Sequence, residues 1–274
     1  MTGAYALYDI HQSGYPPEII SEFCREAGGE HSSTWKREYL CQLVVDESAA
    51  IVPEWKDAWI QEWPTNDLTQ FYQRYTAMDV GGRDKNAVLF GYYDFPNAKL
   101  ILEDEFILEG PTMTTAAIAD EVKRREAALW GNKPVHLRVA DNNNVILLND
   151  LQAFHKLNFV PTSKDDLEAM VNQVRLWVNQ GRVIVNPRCR ETISCLKYGI
   201  WNERRSEFAR SRALGHFDAL AALVYLVRNV DIYTNPIPGS YGINPDNMYV
   251  PQEKVHAKDA QVIADLFGPK IGRR

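Results

Sequence analysis

Three aspartates stand where carboxylates from separate elements could meet. The apolar run RYTAMDV leads into Asp79, Asp141 ends PVHLRVAD, and Asp218 opens the apolar run DALAALVYLV. Hard divalent cations prefer oxygen ligands, and two-metal phosphodiester hydrolysis needs several carboxylates that converge on one place. Because like charges held close together raise one another's pKa, such a set is expected to bind a cation. The pattern therefore indicates a metal-dependent hydrolase site.

Each aspartate taken alone has an ordinary structural explanation. An aspartate at a strand end is often a turn former, and one in the first turn of a helix complements the helix dipole. The combination favours a site, and Asp218 has the most weight, because an acid there faces Ala221 and Tyr225 on one side of a helix. A carboxylate beside such an apolar surface needs a partner.

The elements that would position these acids form an α/β domain, predicted over residues 66–231. Hydrophobic patterning predicts three strands in a meander, with Asn97 in a hairpin turn, and then the order α-β-α-β-α-α. Asp141 lies at the end of the fourth strand, and Asp218 lies in the first turn of the last helix. If the first and fourth strands are parallel neighbours, Asp79 and Asp141 lie side by side, and a helix packed across them supplies the third acid.

Bulk composition limits the class of protein. With 274 residues and 45% apolar composition, the chain can bury a sizeable core. No apolar stretch has the length of a membrane span, and the start lacks a signal-peptide pattern, so we expect a soluble intracellular protein. The four cysteines show no zinc-ligand spacing, which favours buried free thiols.

The charge distribution leaves a nucleic-acid partner open. The net charge is −6, yet residues 182–212 hold eight basic and three acidic residues, a local net charge of +5. Such a segment is either a phosphate-facing patch or a solvated helix face with charge pairs, and charge alone does not separate the two.

Three segments resemble the acidic motifs of a known family in order and spacing. They are TAMDVGGRDKNAVLFGYYD (76–94), VHLRVADNNNVILLNDL (135–151) and ALGHFDALAALVYLV (213–227). The sequence resembles the C-terminal nuclease of the terminase large subunit, the DNA-packaging motor of tailed phages, and the third segment is the most specific. WKREYLCQLVVDE (35–47) resembles the passage from the family's ATPase motor to its nuclease. The resemblance implies a ribonuclease H-like mixed sheet flanked by helices and an endonuclease that cuts concatemeric viral DNA with little sequence preference.

The resemblance also assigns residues. It implies Asp79, Asp141 and Asp218 as catalytic ligands of two Mg²⁺ or Mn²⁺ ions. His216 is a further candidate ligand or could position water or phosphate, against an ordinary helix-terminal histidine, and Asp84 could assist a second metal ion or stabilise a glycine turn. Contacts to the backbone of double-stranded DNA are expected from five basic residues: Arg204, Arg205, Arg210, Arg212 and Lys85.

One departure from the family pattern concerns ATP. No GxxxxGK[ST] loop occurs in the sequence, so this chain lacks the loop that would cradle ATP in a motor. We therefore expect a nuclease portion (66–231) that retains the end of an ATPase domain and a linker (1–65), followed by a tail (232–274). The implied partners are an ATPase motor domain, the small terminase subunit and the portal, in the cytoplasm of the bacterial host and without a membrane.

Alternatives remain open. A natural stand-alone nuclease of the same lineage would also lack the ATP loop. Another ribonuclease H-like enzyme, such as a Holliday-junction resolvase or a transposase, would have similar acids but would leave the segment before the first strand unexplained. A non-catalytic docking module does not account for the three acids, and a sugar-kinase-like ATP binder would need a second phosphate motif that is missing.

Overall fold

The computed structural model describes residues 8–42, 48–80, 85–109, 114–163, 166–210 and 217–241. The chain divides into two compact units, residues 1–236 and 237–274. In the described part of the second unit, the Tyr241 amide donates to the Pro238 carbonyl at 2.9 Å and closes a turn. The helices and strands of the described residues all belong to the first unit.

A mixed sheet and the helices that cover it make up the described part of the first unit. In chain order the elements are α1 (Pro17–Glu26), β1 (Arg74–Val80), β2 (Lys85–Asp94), β3 (Lys99–Glu109), α2 (Thr115–Trp130), β4 (Leu137–Asp141), α3 (Val145–His155), β5 (Val160–Thr162), α4 (Leu167–Asn179), β6 (Val183–Val185), α5 (Arg190–Tyr198) and α6 (Asp218–Asn229).

The sheet has the strand order β5-β4-β1-β2-β3-β6. β2 is antiparallel to its neighbours β1 and β3, whereas β1–β4, β4–β5 and β3–β6 are parallel pairs. Five of the six strands therefore end at the same edge of the sheet. The predicted parallel pairing of the strands that bear Asp79 and Asp141 is confirmed.

The two faces of the sheet follow from the alternation of side chains along each strand. In β1, Tyr75 and Ala77 face one side, where they join a core with α4, α5 and α6. Met78 faces the other side and joins a second core with α2 and α3. The sheet is thus covered on both faces, which is usual where most strands are parallel.

Helix α6 is apolar around most of its circumference, which fits its central position in the fold. Residues 219–227 are all buried, and the helix packs on β1, β2 and β4 with α4 and α5 beside it. A helix that is hydrophobic all round is typical of such a central position. The sheet and two helices therefore fix α6, and with it the first turn that bears Asp218.

Two elements were not predicted. The expected order lacked α3 and β5, both between Asp141 and α4. Helix α3 leaves Val145, Ile146 and Phe154 exposed, so its apolar residues do not mark a single face. Strand β5 is only three residues long and contains Pro161, which lowers the strand signal.

The N-terminal part of the first unit holds one helix and several short turns. The helix predicted at 18–28 is α1, and Trp35–Tyr39 forms a helical turn where a strand or short helix was expected at 37–45. Residues 43–47 of that prediction lie outside the described residues. In the part of the chain that the structure describes, no helix is long and apolar enough to cross a membrane.

Candidate functional site

Asp79 and Asp141 end adjacent parallel strands. The register pairs Ala77 with Val139 and Met78 with Ala140, so the next step along both strands brings Asp79 level with Asp141. Neighbouring strands lie about 4.8 Å apart. Both carboxylates belong to the face of the sheet on which α6 packs, because each lies two residues beyond a side chain of that core. The two side chains are 8% and 3% exposed, respectively.

Asp218 is the first residue of α6. The preceding residue, Phe217, is buried and has a left-handed φ of 58°, so the chain turns sharply into the helix. Asp218 is partly buried and lies in the first turn, where the exposed amides of the helix N-terminus favour a negative charge. The predicted position of this acid at the start of an apolar helix is confirmed.

A cleft of about 410 Å³ opens at this place, within the range of about 300–1,000 Å³ that is typical of ligand sites. Asp79 and Asp218 line it together. Further lining residues come from α6 and from the segment before it: Ala221, Tyr225, Glu207 and Arg210. Ala221 has a small side chain between Asp218 and Tyr225 on the helix, which leaves room for the cleft.

The side chain of Tyr225 interacts with all three acids. Its hydroxyl donates a hydrogen bond to the Asp79 carboxylate. Burial raises the pKa of Tyr225 far above its usual value, and the negative charges of Asp79, Asp141 and Asp218 raise it further. The phenol therefore stays protonated at neutral pH and acts as a neutral donor, and all three aspartates lie close enough to act on it.

The donor set suits a hard divalent cation, since all three candidates offer carboxylate oxygens. Among the described residues, however, no three His, Cys, Asp or Glu side chains are close enough as they stand to hold one ion. The Oδ1 atom of Asp141 accepts a hydrogen bond from the Asn143 amide at 3.1 Å. Joint coordination would need the side chains to turn toward one another, which the shared face and the adjacent strand ends allow.

The residues predicted to contact DNA differ in their exposure and in their intramolecular contacts. Arg210 is exposed and lines the cleft, and Arg204 is exposed. Arg205 is exposed as well, but its guanidinium donates to the Ser48 carbonyl. Four predicted site features lie outside the described residues: Asp84, Arg212, His216 and the side chain of Lys85.

Other basic residues of the segment 182–212 have intramolecular roles. The Arg182 guanidinium stacks 4.2 Å from the Trp177 ring centre, and Lys197 pairs with Asp57 at 2.9 Å. For these residues, the interpretation as a surface with intramolecular charge pairs applies, rather than the interpretation as a phosphate-binding patch. Among the described basic residues of this segment, Arg210 is the one that lines the cleft with Asp79 and Asp218.

Several cleft residues have no role predicted from the sequence, Tyr225 and Glu207 among them. Tyr225 lies seven residues after Asp218, a spacing that puts the two on one side of the helix. The sequence therefore predicts that Tyr225 lies near Asp218, but it does not predict the hydrogen bond between Tyr225 and Asp79. From the sequence alone, Glu207 is only one of three acidic residues within a basic segment. Its place in the cleft depends on the path of residues 201–210, in which Trp201 pairs with Phe208, and no local pattern predicts that path.

Comparisons with known proteins identify the fold. No family model and no curated protein matches the chain. The large terminase of a thermophilic bacteriophage in complex with ADP matches with a TM-score of 0.56 and 15% identity, covering 80% of this chain and 53% of the terminase. The nuclease domain of the P22 large terminase matches with a TM-score of 0.51 and 16% identity, covering 64% of this chain and 89% of that domain.

The chain thus spans about half the length of the ADP-bound terminase and most of the length of the P22 nuclease domain. Its six-stranded mixed sheet with helices on both faces is the architecture that these proteins share. The chain therefore has the α/β, ribonuclease H-like fold of the large terminases and their nuclease domain, which confirms, at the level of the fold, the class and the resemblance predicted from its sequence.

Proposed function

We propose that this chain is a metal-dependent DNA endonuclease that cuts concatemeric viral DNA during genome packaging, with little sequence preference. One observation supports this above the others. Two buried aspartates lie at the ends of adjacent parallel strands on one face, and the helix that packs on that face begins with a third aspartate, which lines one cleft with Asp79. Such convergence of acids from three elements suits phosphodiester hydrolysis.

In this proposal Asp79, Asp141 and Asp218 hold two Mg²⁺ or Mn²⁺ ions. Bound there, the ions would activate water and stabilise the charge that develops on the phosphate. Through those ions, the carboxylates would determine where a scissile phosphate binds at the sheet edge. Burial of Asp79 and Asp141 keeps bulk water away from two of the three ligands, which strengthens their interaction with a cation.

Backbone contacts would account for the low sequence preference. Arg210 lies in the cleft, and Arg204 is exposed in the segment before it. Arginines that contact phosphates hold DNA without reading its bases. We propose that Arg210 binds a phosphate next to the cut, with Arg204, Arg212 and Lys85 as further contacts.

A larger assembly would deliver the DNA. The thermophilic-phage terminase that matches here contains ADP, and this chain lacks an ATP loop of its own. We propose that an ATPase motor domain precedes the nuclease in the working protein, with residues 1–65 as its end and linker, and that the small subunit and the portal are partners. Both solved structures compared above are a large terminase or its nuclease domain, which favours a terminase over a resolvase or transposase.

The proposed function is tested by plasmid cleavage. The protein should nick and linearise supercoiled plasmid with Mn²⁺ or Mg²⁺ and not with EDTA. Asp79→Asn, Asp141→Asn and Asp218→Asn should each lower the rate by about 100-fold or more, because each removes a charged metal ligand while keeping its volume.

Asp120→Asn is the matched control, since Asp120 is an exposed aspartate of α2 outside the cleft. It should cleave at the wild-type rate. Circular dichroism should show that all four variants are folded. Undiminished cleavage by the three site variants would contradict the assignment, and absence of cleavage by the wild-type chain with either metal would contradict the proposed activity.

A further inference from the structure

Tyr225 lies beside the three candidate acids, on a helix whose residues 219–227 are all buried. It follows Asp218 by seven residues, and Asp218, Ala221 and Tyr225 form one stripe that lines the cleft. The residue is 2% exposed, and its neighbours on α6 are buried against the sheet and against α4 and α5. The packing of the helix on the sheet and on its two neighbouring helices therefore fixes the position of this side chain at the cleft.

The hydroxyl group is what distinguishes this tyrosine from a core phenylalanine. A buried phenol without a partner is costly; here α6 packs on β1, Tyr225 and Asp79 line the same cleft, and the Asp79 carboxylate is the acceptor for the hydroxyl. Packing alone would be served equally well by phenylalanine. The hydroxyl therefore points to a task at Asp79.

We propose that Tyr225 is a positioning residue that holds one oxygen of the Asp79 carboxylate, so that the other oxygen is presented to the cleft. This inference rests on the proposed function, because it takes Asp79 to be a metal ligand. A carboxylate at a strand end can rotate about its side-chain torsions, and a donor on a fixed helix removes that freedom. Hydrogen bonds of this kind orient metal ligands in many proteins.

The Tyr225 hydroxyl also affects the repulsion among the three carboxylates. Three carboxylates at one place repel one another, and a neutral donor stabilises one of them without adding a competing positive charge. A lysine or arginine there would neutralise Asp79 but would repel an incoming cation. A tyrosine orients the Asp79 carboxylate without neutralising the negative charge that attracts the metal ion.

Calorimetric titration of the DNA-free protein with Mn²⁺ tests the inference without relying on catalysis. In Tyr225→Phe the Asp79 carboxylate loses its fixed orientation, so the Kd for Mn²⁺ should rise about ten-fold or more. In cleavage assays the Mn²⁺ concentration for half-maximal rate should rise by a similar factor, while the rate at saturating Mn²⁺ stays within a few-fold of wild type. A general loss of structure would instead lower the rate at every metal concentration.

Tyr75→Phe is the matched control. Tyr75 is fully buried on β1, four residues before Asp79, and its hydroxyl donates to Gln73 at 2.7 Å and accepts from the Asp231 amide at 3.0 Å. The Tyr75→Phe variant loses a similarly buried hydroxyl that lies away from the cleft, so its Kd for Mn²⁺ should stay within two-fold of wild type. If Tyr225→Phe does not fold, 4-fluorophenylalanine at position 225 fills the space with a group that cannot donate, and it should show the same loss of affinity.

Two outcomes separate this inference from the proposed function. If the wild-type chain binds Mn²⁺ and cuts DNA but the variant that lacks the donor binds Mn²⁺ within two-fold of wild type, the positioning role is overturned and the nuclease stands. If the wild-type chain neither binds Mn²⁺ nor cuts DNA, the proposed function fails, and the positioning role fails with it.

Discussion

At the scale of single residues, Asp79 is held by its main chain and by its side chain. The register between β1 and β4 sets its distance from Asp141, and the hydroxyl of Tyr225 engages its carboxylate. The side chain is 8% exposed, so solvation by water is largely replaced by these contacts. A ligand held in this way loses little freedom when a cation binds, which favours binding.

Arg210 and Arg205 differ in what their guanidinium groups can reach. Arg210 lines the cleft, whereas Arg205 donates to the Ser48 carbonyl. If Arg210 binds a DNA phosphate, Arg210→Gln should weaken binding and reduce the slope of log K against log salt by about 1, since one fewer counterion is released. Binding by the Asp79→Asn protein, measured without cleavage by fluorescence anisotropy over a salt series, checks this.

Arg205→Gln in the same background is the control, because it removes an arginine of the same segment that has an intramolecular partner. Its salt slope should equal that of the parent protein. An unchanged slope for Arg210→Gln, or equal losses for the two variants, would show that the cleft arginine has no special contact with phosphate.

At the scale of elements, helix α5 depends on a carboxylate from the sheet. The residue before the helix, Cys189, makes no side-chain cap. Glu105 of β3 takes that role by accepting hydrogen bonds from the Glu191 amide at 2.6 Å and from the Thr192 amide and hydroxyl at 2.9 and 2.6 Å. A buried negative charge thus satisfies amides that the helix itself leaves without partners.

Glu105→Ala should therefore destabilise the fold without changing the chemistry. We expect the free energy of unfolding to fall by about 2–4 kcal/mol, because two buried amides lose a charged acceptor. Urea unfolding measures this. Glu168→Ala removes an exposed acid from the first turn of α4 and should have little effect. Equal stability of the two variants would contradict the capping role, and cleavage under conditions where both variants are folded should match wild type.

Elements with strong periodicity or clear end signals were predictable. The sequence before α2 offers threonines, and Thr114 accepts from the Ala117 amide at 3.1 Å, while Gly131 ends the helix with a φ of 60°. Helix α3 was missed because it exposes Ile146 at 78% and Phe154 at 77%, so its apolar residues fall on two faces. Its one local signal was Asn144, whose side chain accepts from the Leu147 amide at 3.2 Å.

The candidate site was predictable in its acids and not in its surroundings. Asp79 and Asp141 could be placed because strand ends and parallel pairing follow from the order of elements. The bond between Tyr225 and Asp79 and the contact of Arg205 with Ser48 join residues far apart in sequence. Such contacts depend on how helices and loops pack in three dimensions, and hydrophobic periodicity does not encode them.

At the scale of the molecule, the sheet concentrates the candidate chemistry at one edge. β1 and β4 each carry an aspartate at or next to their last residue, and α6 brings a third acid to the face above them. The remaining strands and helices hold this arrangement from both sides of the sheet. About half the length of the ADP-bound terminase matches this chain, so delivery of DNA to that edge is assigned in our proposal to the rest of a longer protein.

The position of bound Mn²⁺ is the most direct test of a metal-dependent nuclease centre at this edge. Crystals soaked in Mn²⁺ should give anomalous difference peaks about 2.1 Å from carboxylate oxygens of Asp79, Asp141 and Asp218, and Asp218→Asn crystals should lose or weaken them. Peaks confined to other residues, or no peak beside these aspartates at Mn²⁺ concentrations that support cleavage, would contradict the site.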